Sequence, residues 1–246
     1  MGDRMKVAIV TGAAGGLGRA ITAQLLADGM QVVGLDLDNT ALQDMHRDLG
    51  DRFDPVVVDL TDATRIAEVF EGIAARHGGV DALVNNAGTC FMSDFPNIPA
   101  QEFDRQMAVN FSSAFHCCQA VIPLMIGREG VRKIVNISSN GAYNFDVFDP
   151  PHYRASKAAL DTLTKDMARR YATDKIAVNS IAPAMTETPL FNVLTQDVLD
   201  CAIAAMPHGE AMQPAQIAAW VGFLVSEAGN VSSGNVIILN QGRDVR

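Results

Sequence analysis

Short, almost wholly apolar runs recur along the chain with longer amphipathic stretches between them, and this alternation limits the possible folds more than any other feature. The runs KVAIV at 6 to 10, QVVGLD at 31 to 36, PVVVDL at 55 to 60, VDALVN at 80 to 85, RKIVNIS at 132 to 138, KIAVNSI at 175 to 181 and NVIILN at 235 to 240 are rich in β-branched residues. Strands apolar on both faces must be covered on both faces, which happens when crossover helices sandwich a parallel sheet. Between the strands the apolar residues return at helical spacing, as Ile66, Val69, Phe70 and Ile73 do. Helices are expected at about 17 to 28, 101 to 126, 151 to 172 and 214 to 227. The expected fold is therefore α/β, a doubly wound parallel sheet of about seven strands flanked by helices in a three-layer sandwich. One weakly patterned stretch, 183 to 212, is longer than an ordinary connection, and such segments usually serve as lids or binding loops. Its Met185, Leu190, Phe191, Leu194 and Met206 can close over a substrate or pack down as core, and the pattern alone favours neither.

With 246 residues, 48% of them hydrophobic, and no Pro/Gly/Ser-rich linker, the chain reads as one domain over 1 to 246. A formal net charge of -9 opposes attraction to a phosphate backbone, so nucleic acid is not an expected partner. The start, MGDRMKVAIVTGAAGG, passes directly from charge into a strand and lacks the features of a secretory leader. No apolar run approaches the roughly 20 residues of a membrane span, so a cytoplasmic protein without a membrane partner is expected. Cys90, Cys117, Cys118 and Cys201 have no metal or redox spacing, and His46, His77, His116, His152 and His208 have no ligand-like spacing; no metal is expected.

The first strand runs into Thr11-Gly12-Ala13-Ala14-Gly15-Gly16-Leu17-Gly18, where a helix begins. Glycines at Gly12, Gly16 and Gly18 allow a tight turn that brings backbone N–H groups against a pyrophosphate at the helix N-terminus. Asp36 ends the second strand, where its carboxylate can accept bonds from both adenosine ribose hydroxyls and would repel a 2′-phosphate. Leu37 follows it, and residues 12 to 18 contain no arginine or lysine, so the expected cofactor is NAD. Asp59 and Leu60 close the third predicted strand, and Asn86, Ala87 and Gly88 follow the fourth, at the edge where ligands of such sheets bind. Asp59 can meet the adenine amino group with Leu60 flanking the ring, or it can cap the next helix.

Tyr153 and Lys157 lie one helical turn apart and face the same way. A phenol with an ordinary pKa near 10 is a poor base at neutral pH. A nearby ammonium and a positive nicotinamide would favour the phenolate. The preceding strand delivers Ser138 and Ser139 to the same edge, where a hydroxyl can hold a substrate oxygen. Asn110, in MAVNF, can interrupt helical bonding and hold a water on a path from Lys157.

The segments TGAAGGLG, Asp59, NNAG, Asn110, NISS, YRASK and VNSIAP, spread from residue 6 to about 240, resemble those of the short-chain dehydrogenase/reductase family. That resemblance implies a Rossmann-like domain and a catalytic tetrad of Asn110, Ser139, Tyr153 and Lys157. It also implies that Tyr153 and Lys157 border the cofactor, that Pro183, Thr186 and Thr188 position the nicotinamide, and that the protein is a homotetramer with its long helices packed between subunits. The interval from Ser139 to Tyr153 is one residue longer than the family's usual spacing, which leaves Ser138 as the alternative serine and puts Asn140 where strict spacing would put it. Ala184 follows Pro183 where glycine is usual, and NQG at 240 to 242 stands where the family often has DGG.

The segment Asn140 to His152 carries Tyr143, Asn144, Phe145, Asp146, Phe148 and Asp149, and with Cys90, Phe91 and Met92 it reads as a substrate wall or as a rigid surface loop. The expected partner is a small-molecule alcohol or ketone, such as a polyol, sugar-like or cyclic secondary alcohol. NADH-dependent carbonyl or 3-oxoacyl reduction is the alternative, and a non-catalytic nucleotide sensor is the reading from a different class.

Overall fold

A computed structural model describes residues 4 to 145 and 149 to 244. Seven strands form one parallel sheet: β1 (Val7–Thr11), β2 (Gln31–Asp36), β3 (Phe53–Val57), β4 (Ala82–Asn85), β5 (Arg132–Ile137), β6 (Ile176–Pro183) and β7 (Val236–Leu239). The spatial order is β3-β2-β1-β4-β5-β6-β7. The chain winds outward through β1, β2 and β3, then returns to lay β4 against the other side of β1, pairing Ile9 with Leu83. The reversal opens a crevice at the carboxyl ends of β1 and β4, the position at which doubly wound sheets bind ligands.

Two apolar layers flank the sheet. On one face α1 (Gly16–Ala27), α2 (Asn39–Leu49) and α8 (Pro214–Val225) bury Ile21, Leu25, Leu42, Met45 and Val221 against Ala8, Val10 and Val135. On the other, α3 (Ala63–His77), α5 (Ser113–Met125) and α6 (Pro151–Arg170) bury Phe70, Ile73, Val121, Met125 and Met167 against Ile9, Leu83 and Ile134. Successive residues of β1 and β5 thus feed opposite layers, which is why these strands read as unbroken apolar runs.

Three expectations change. The third strand ends at Val57, before Asp59 and Leu60, because its partner β2 ends at Asp36, which pairs with Val57; Val58 N then donates to Asp36 O at 3.0 Å. Pro55 is tolerated because β3 is an edge strand. The cap of α3 is Asp62, whose Oδ1 accepts from Thr64 N and Arg65 N, so Asp59 does not cap it. The long helix expected at 101 to 126 is α4 (Ala100–Met107) and α5 joined through a π-helical turn, Ala108–Ser112, with Asn110 buried in it. The weakly patterned stretch carries a 3₁₀ turn, Pro189–Val193, and α7 (Gln196–Ala204).

The amino edge of the sheet is fastened by one carboxylate. Asp81 lies just before β4, 4% exposed, and pairs with Arg132 Nη1 and, at 2.6 Å, with Arg4 Nη2, while also accepting Val7 N at 2.8 Å. Among the described residues no helix is long and apolar enough to cross a membrane.

Candidate functional site

At the carboxyl edge the glycine turn and the end of β4 are tied together before any ligand is considered. Thr11 Oγ1 accepts Asn86 N and Ala87 N at 2.9 and 3.0 Å, and Asn86 Nδ2 donates to Thr11 O and Gly12 O. Gly12 has φ +62, and a Cβ there would lie 2.9 Å from Ala87 Cα, so the close approach of the two segments needs glycine. At Gly18 a Cβ would sit 2.0 Å from Gly12 O. Helix α1 starts at Gly16 after Gly15 as its cap, with neither a side-chain capping bond nor an acidic residue in its first turn. Gly15, Gly16, Leu17 and Gly18 at its start line the cavity, and their uncapped N–H groups fit an anionic pyrophosphate.

Asp36 Oδ2 accepts Ala14 N at 2.9 Å and its Oδ1 accepts Leu37 N at 2.8 Å, which holds the carboxylate at the lip of the turn with Leu37 exposed beside it. Arg19, one residue beyond the glycine turn, donates from Nε to Ala14 O at 2.9 Å, so a guanidinium also borders this lip. Asp59 Oδ1 accepts Thr61 N and Thr61 Oγ1, and these bonds hold its carboxyl below the usual range. Leu60 packs into the apolar layer shared with Ile66.

A cavity of about 300 Å³ extends from the glycine turn to the start of α6, and Asn86, Gly88, Ser139, Tyr153, Lys157, Pro183, Thr186 and Thr188 line it. Ser138 and Ser139 part company here. Ser138 is 4% exposed and donates to Asp161 Oδ2 at 2.9 Å, whereas Ser139 faces the cavity beside the Tyr153 phenol and accepts Gly141 N at 3.0 Å. The longer serine–tyrosine interval is absorbed by a 3₁₀ turn at Asn140–Ala142 and the segment after it.

Burial pushes the half-buried Tyr153 phenol well above its ordinary value and the Asp149 carboxylate pushes the same way, against the Ser139 hydroxyl. Burial lowers Lys157 to about 8, countered by the Asp161 carboxylate. Lys157 Nζ lies 5.9 Å from the Tyr153 ring centroid and donates to Ile137 O at 2.8 Å. The nearby ammonium expected to bring the phenol down is thus directed at a backbone carbonyl, and the protein's own charges act on Tyr153 mainly in the opposite sense.

Asn110 Oδ1 accepts Thr89 N at 2.8 Å, and its Nδ2 donates to Thr89 O and Ser156 Oγ. A Cβ at Gly88 would lie 3.4 Å from Lys157 Nζ and 3.6 Å from Asn110 Oδ1, so the lysine and the asparagine converge on the same glycine. The π turn makes this possible by freeing local backbone bonding where Asn110 enters the core.

The stretch after β6 serves both purposes that its sequence allowed. Met206 and Met212 are buried in the core, while Leu190, Phe191 and Leu194 line the cavity. A Cβ at Gly16 would meet Pro189 Cδ at 2.6 Å, so this loop rests directly on the glycine turn. Of the proposed substrate wall, Cys90, Met92, Asn140, Asn144 and Asp149 line the cavity; Tyr143 donates to Asp161, and His152 is buried with Nε2 3.2 Å from Glu102 Oε1. Burial raises the Cys90 thiol to about 12, so it behaves as a small apolar wall. Phe145 is 75% exposed under the Arg154 guanidinium, and Asp146 and Phe148 lie outside the described residues.

Three groups escaped the sequence reading. Asp161, one turn beyond Lys157, gathers Ser138, Ser180 and Tyr143, and its acidic residue at helical spacing was a usable signal. Asp244 accepts Asn140 Nδ2 and Asn144 Nδ2 at 2.9 and 3.0 Å, and Arg243 lines the cavity; nothing local announces that the tail returns to the site. Gln241 joins the same tail to the loop through His208 N and Glu210 O, which gives the NQG departure a role in holding it.

A family model described as short chain dehydrogenase matches residues 6–199. The chain is 32% identical over 241 residues to the 3-oxoacyl-[acyl-carrier-protein] reductase of Thermotoga maritima, covering 96% of this chain and 97% of the relative. It is 34% identical to the 2-(R)-hydroxypropyl-CoM dehydrogenase of Xanthobacter autotrophicus, covering 96% and 97%. A solved structure of 3-ketoacyl-(acyl-carrier-protein) reductase from Brucella melitensis complexed with NADH superposes with a TM-score of 0.91 at 25% identity, covering 98% of each chain. The Pseudomonas aeruginosa RhlG/NADP active-site complex gives 0.90 at 28%, covering 97% and 96%.

Proposed function

The chain belongs to the short-chain dehydrogenase family, and on that footing we propose that it is an NAD-dependent oxidoreductase that interconverts a secondary alcohol and its ketone. The observation that carries this reading is the placement of Ser139, Tyr153 and Lys157 in the cavity that the glycine turn opens. A bound nicotinamide supplies the hydride acceptor in oxidation and a positive charge that favours the phenolate. Ser139 holds the substrate oxygen, Tyr153 takes the alcohol proton, and Lys157 sits one turn below to bind ribose hydroxyls, its position fixed through Ile137 O. In reduction the same phenol returns the proton.

NAD is favoured by the Asp36 carboxylate at the lip of the turn. With NAD and NADP run in parallel on secondary alcohols, NAD is expected to be the better cofactor, and Asp36→Ala is expected to lower the NAD-to-NADP ratio of kcat/KM by about tenfold, leaving Arg19 to meet a 2′-phosphate. Equal use of both cofactors by the unaltered protein would refute the assignment of Asp36. A second reading, NADH-dependent reduction of a 3-oxoacyl thioester, stands level because two of the proteins named above carry it in their names. Adding 3-oxoacyl thioesters with NADH to the same panel separates the two.

A homotetramer is part of the proposal. Phe103 and Phe115 are exposed on α4 and α5, and Trp220, Phe223 and Ile238 on α8 and β7, giving two separate apolar faces of the kind that two different two-fold contacts cover. Sedimentation equilibrium is expected to return four chains, and a monomer at micromolar concentration would contradict it.

A further inference from the structure

The cavity has a charged wall beside Tyr153 that the chemistry above leaves unused. Asp149 lines the same cavity as Ser139 and Tyr153. Gly141 makes room for it: a Cβ there would lie 2.4 Å from Asp149 Oδ2 and 3.2 Å from Ser139 Oγ, so the carboxylate and the substrate-holding hydroxyl converge on one spot. The position is built rather than incidental, since Arg154 Nε grips the Asp149 carbonyl at 2.8 Å and Pro150 and Pro151 follow at the start of α6.

We propose that Asp149 is a specificity-determining residue whose carboxylate accepts a hydrogen bond from a hydroxyl on the carbon next to the reacting one, so that the preferred substrates are vicinal diols and their α-hydroxyketones. An ionised carboxylate offers about four acceptor sites, so it can take a substrate donor in addition to its protein contacts. Next to the reacting oxygen it repels a second acceptor or an anion, which disfavours hydroxy acids and 3-oxoacyl thioesters alike. Met92, Leu190 and Phe191 line the same cavity and suit the carbon skeleton. Arg243 lines the same cavity from the tail, and the Asp149 charge reaches the Tyr153 phenol, which puts the carboxylate close to the reacting carbon.

This inference rests on the secondary-alcohol reading. The test measures kcat/KM with NAD for butane-2,3-diol against butan-2-ol and 2-hydroxybutyrate, in the unaltered protein and in Asp149→Ala, Asp149→Asn and Gly141→Ala, with NADH binding followed in each. The diol is expected to lead, and its lead over the mono-ol is expected to shrink by about tenfold in Asp149→Ala, less in Asp149→Asn because the amide oxygen still accepts. Gly141→Ala reports independently, because its methyl would displace the carboxylate and should also shrink the lead. A diol lead that is absent from the unaltered protein, or that survives all three variants, overturns the role of Asp149 while leaving the alcohol reading in place. Reduction of 3-oxoacyl thioesters with no alcohol turned over would remove both.

Discussion

Tyr153→Phe is expected to lower kcat by about 10²–10⁴-fold, the usual contribution of a positioned acid–base group, while NADH binds as before. The substitution removes one oxygen and keeps the ring, so packing within the cavity is preserved, and Ser139 retains its bond from Gly141 N. Binding is read by NADH fluorescence and turnover by absorbance. A variant within tenfold of the unaltered protein would show that another group moves the proton. The expected effect is large because the protein drives the phenol up through burial and Asp149, so a neutral hydroxyl awaits the substrate and is the natural donor in reduction. In oxidation the same phenol needs the cationic nicotinamide before it can serve as a base.

Gly18→Ala is expected to damage both fold and cofactor site. A methyl 2.0 Å from Gly12 O and 2.9 Å from Ala13 Cα meets backbone on both sides, so α1 or the turn must shift. Overpacking of this kind costs about 3 kcal/mol, a fall in Tm on the order of 10 °C for a chain of this size, and NADH affinity should drop with it because the N–H groups lose their aim. Gly72→Ala supplies the contrast: it lies within α3 with nothing near its missing side chain, and should be neutral or stabilising by about 0.5 kcal/mol. Differential scanning calorimetry on the two variants decides the matter, and equal melting temperatures would show that the turn is looser than its distances imply.

The sheet was legible because its five central strands are buried on both faces, leaving apolar runs that resemble little else. Where burial is partial the reading slipped: β3 is an edge strand with partly exposed Asp54, Pro55 and Val56, and its end is set by where β2 stops rather than by its own residues. The glycine turn and the Tyr153–Lys157 pair were visible because their chemistry is local, a few residues on one turn of chain. Asp244 and the separation of Ser138 from Ser139 were not, since each depends on partners distant in sequence. For the two serines the deciding fact is Asp161, which draws Ser138 inward and leaves its neighbour facing the cavity.

Asp81 fastens Arg4, Arg132 and Val7 at the amino edge, while every group that lines the cavity comes from the opposite edge. Removing one partner from a buried ionic cluster is far costlier than altering an exposed loop, so this share of the resistance to unfolding rests on residues that do not touch the cavity. The architecture is accordingly a chassis with exchangeable fittings. Within the stretch between β6 and α8, Leu190, Phe191 and Leu194 can be exchanged to retune what is accepted while Met206 and Met212 keep the stretch anchored in the core.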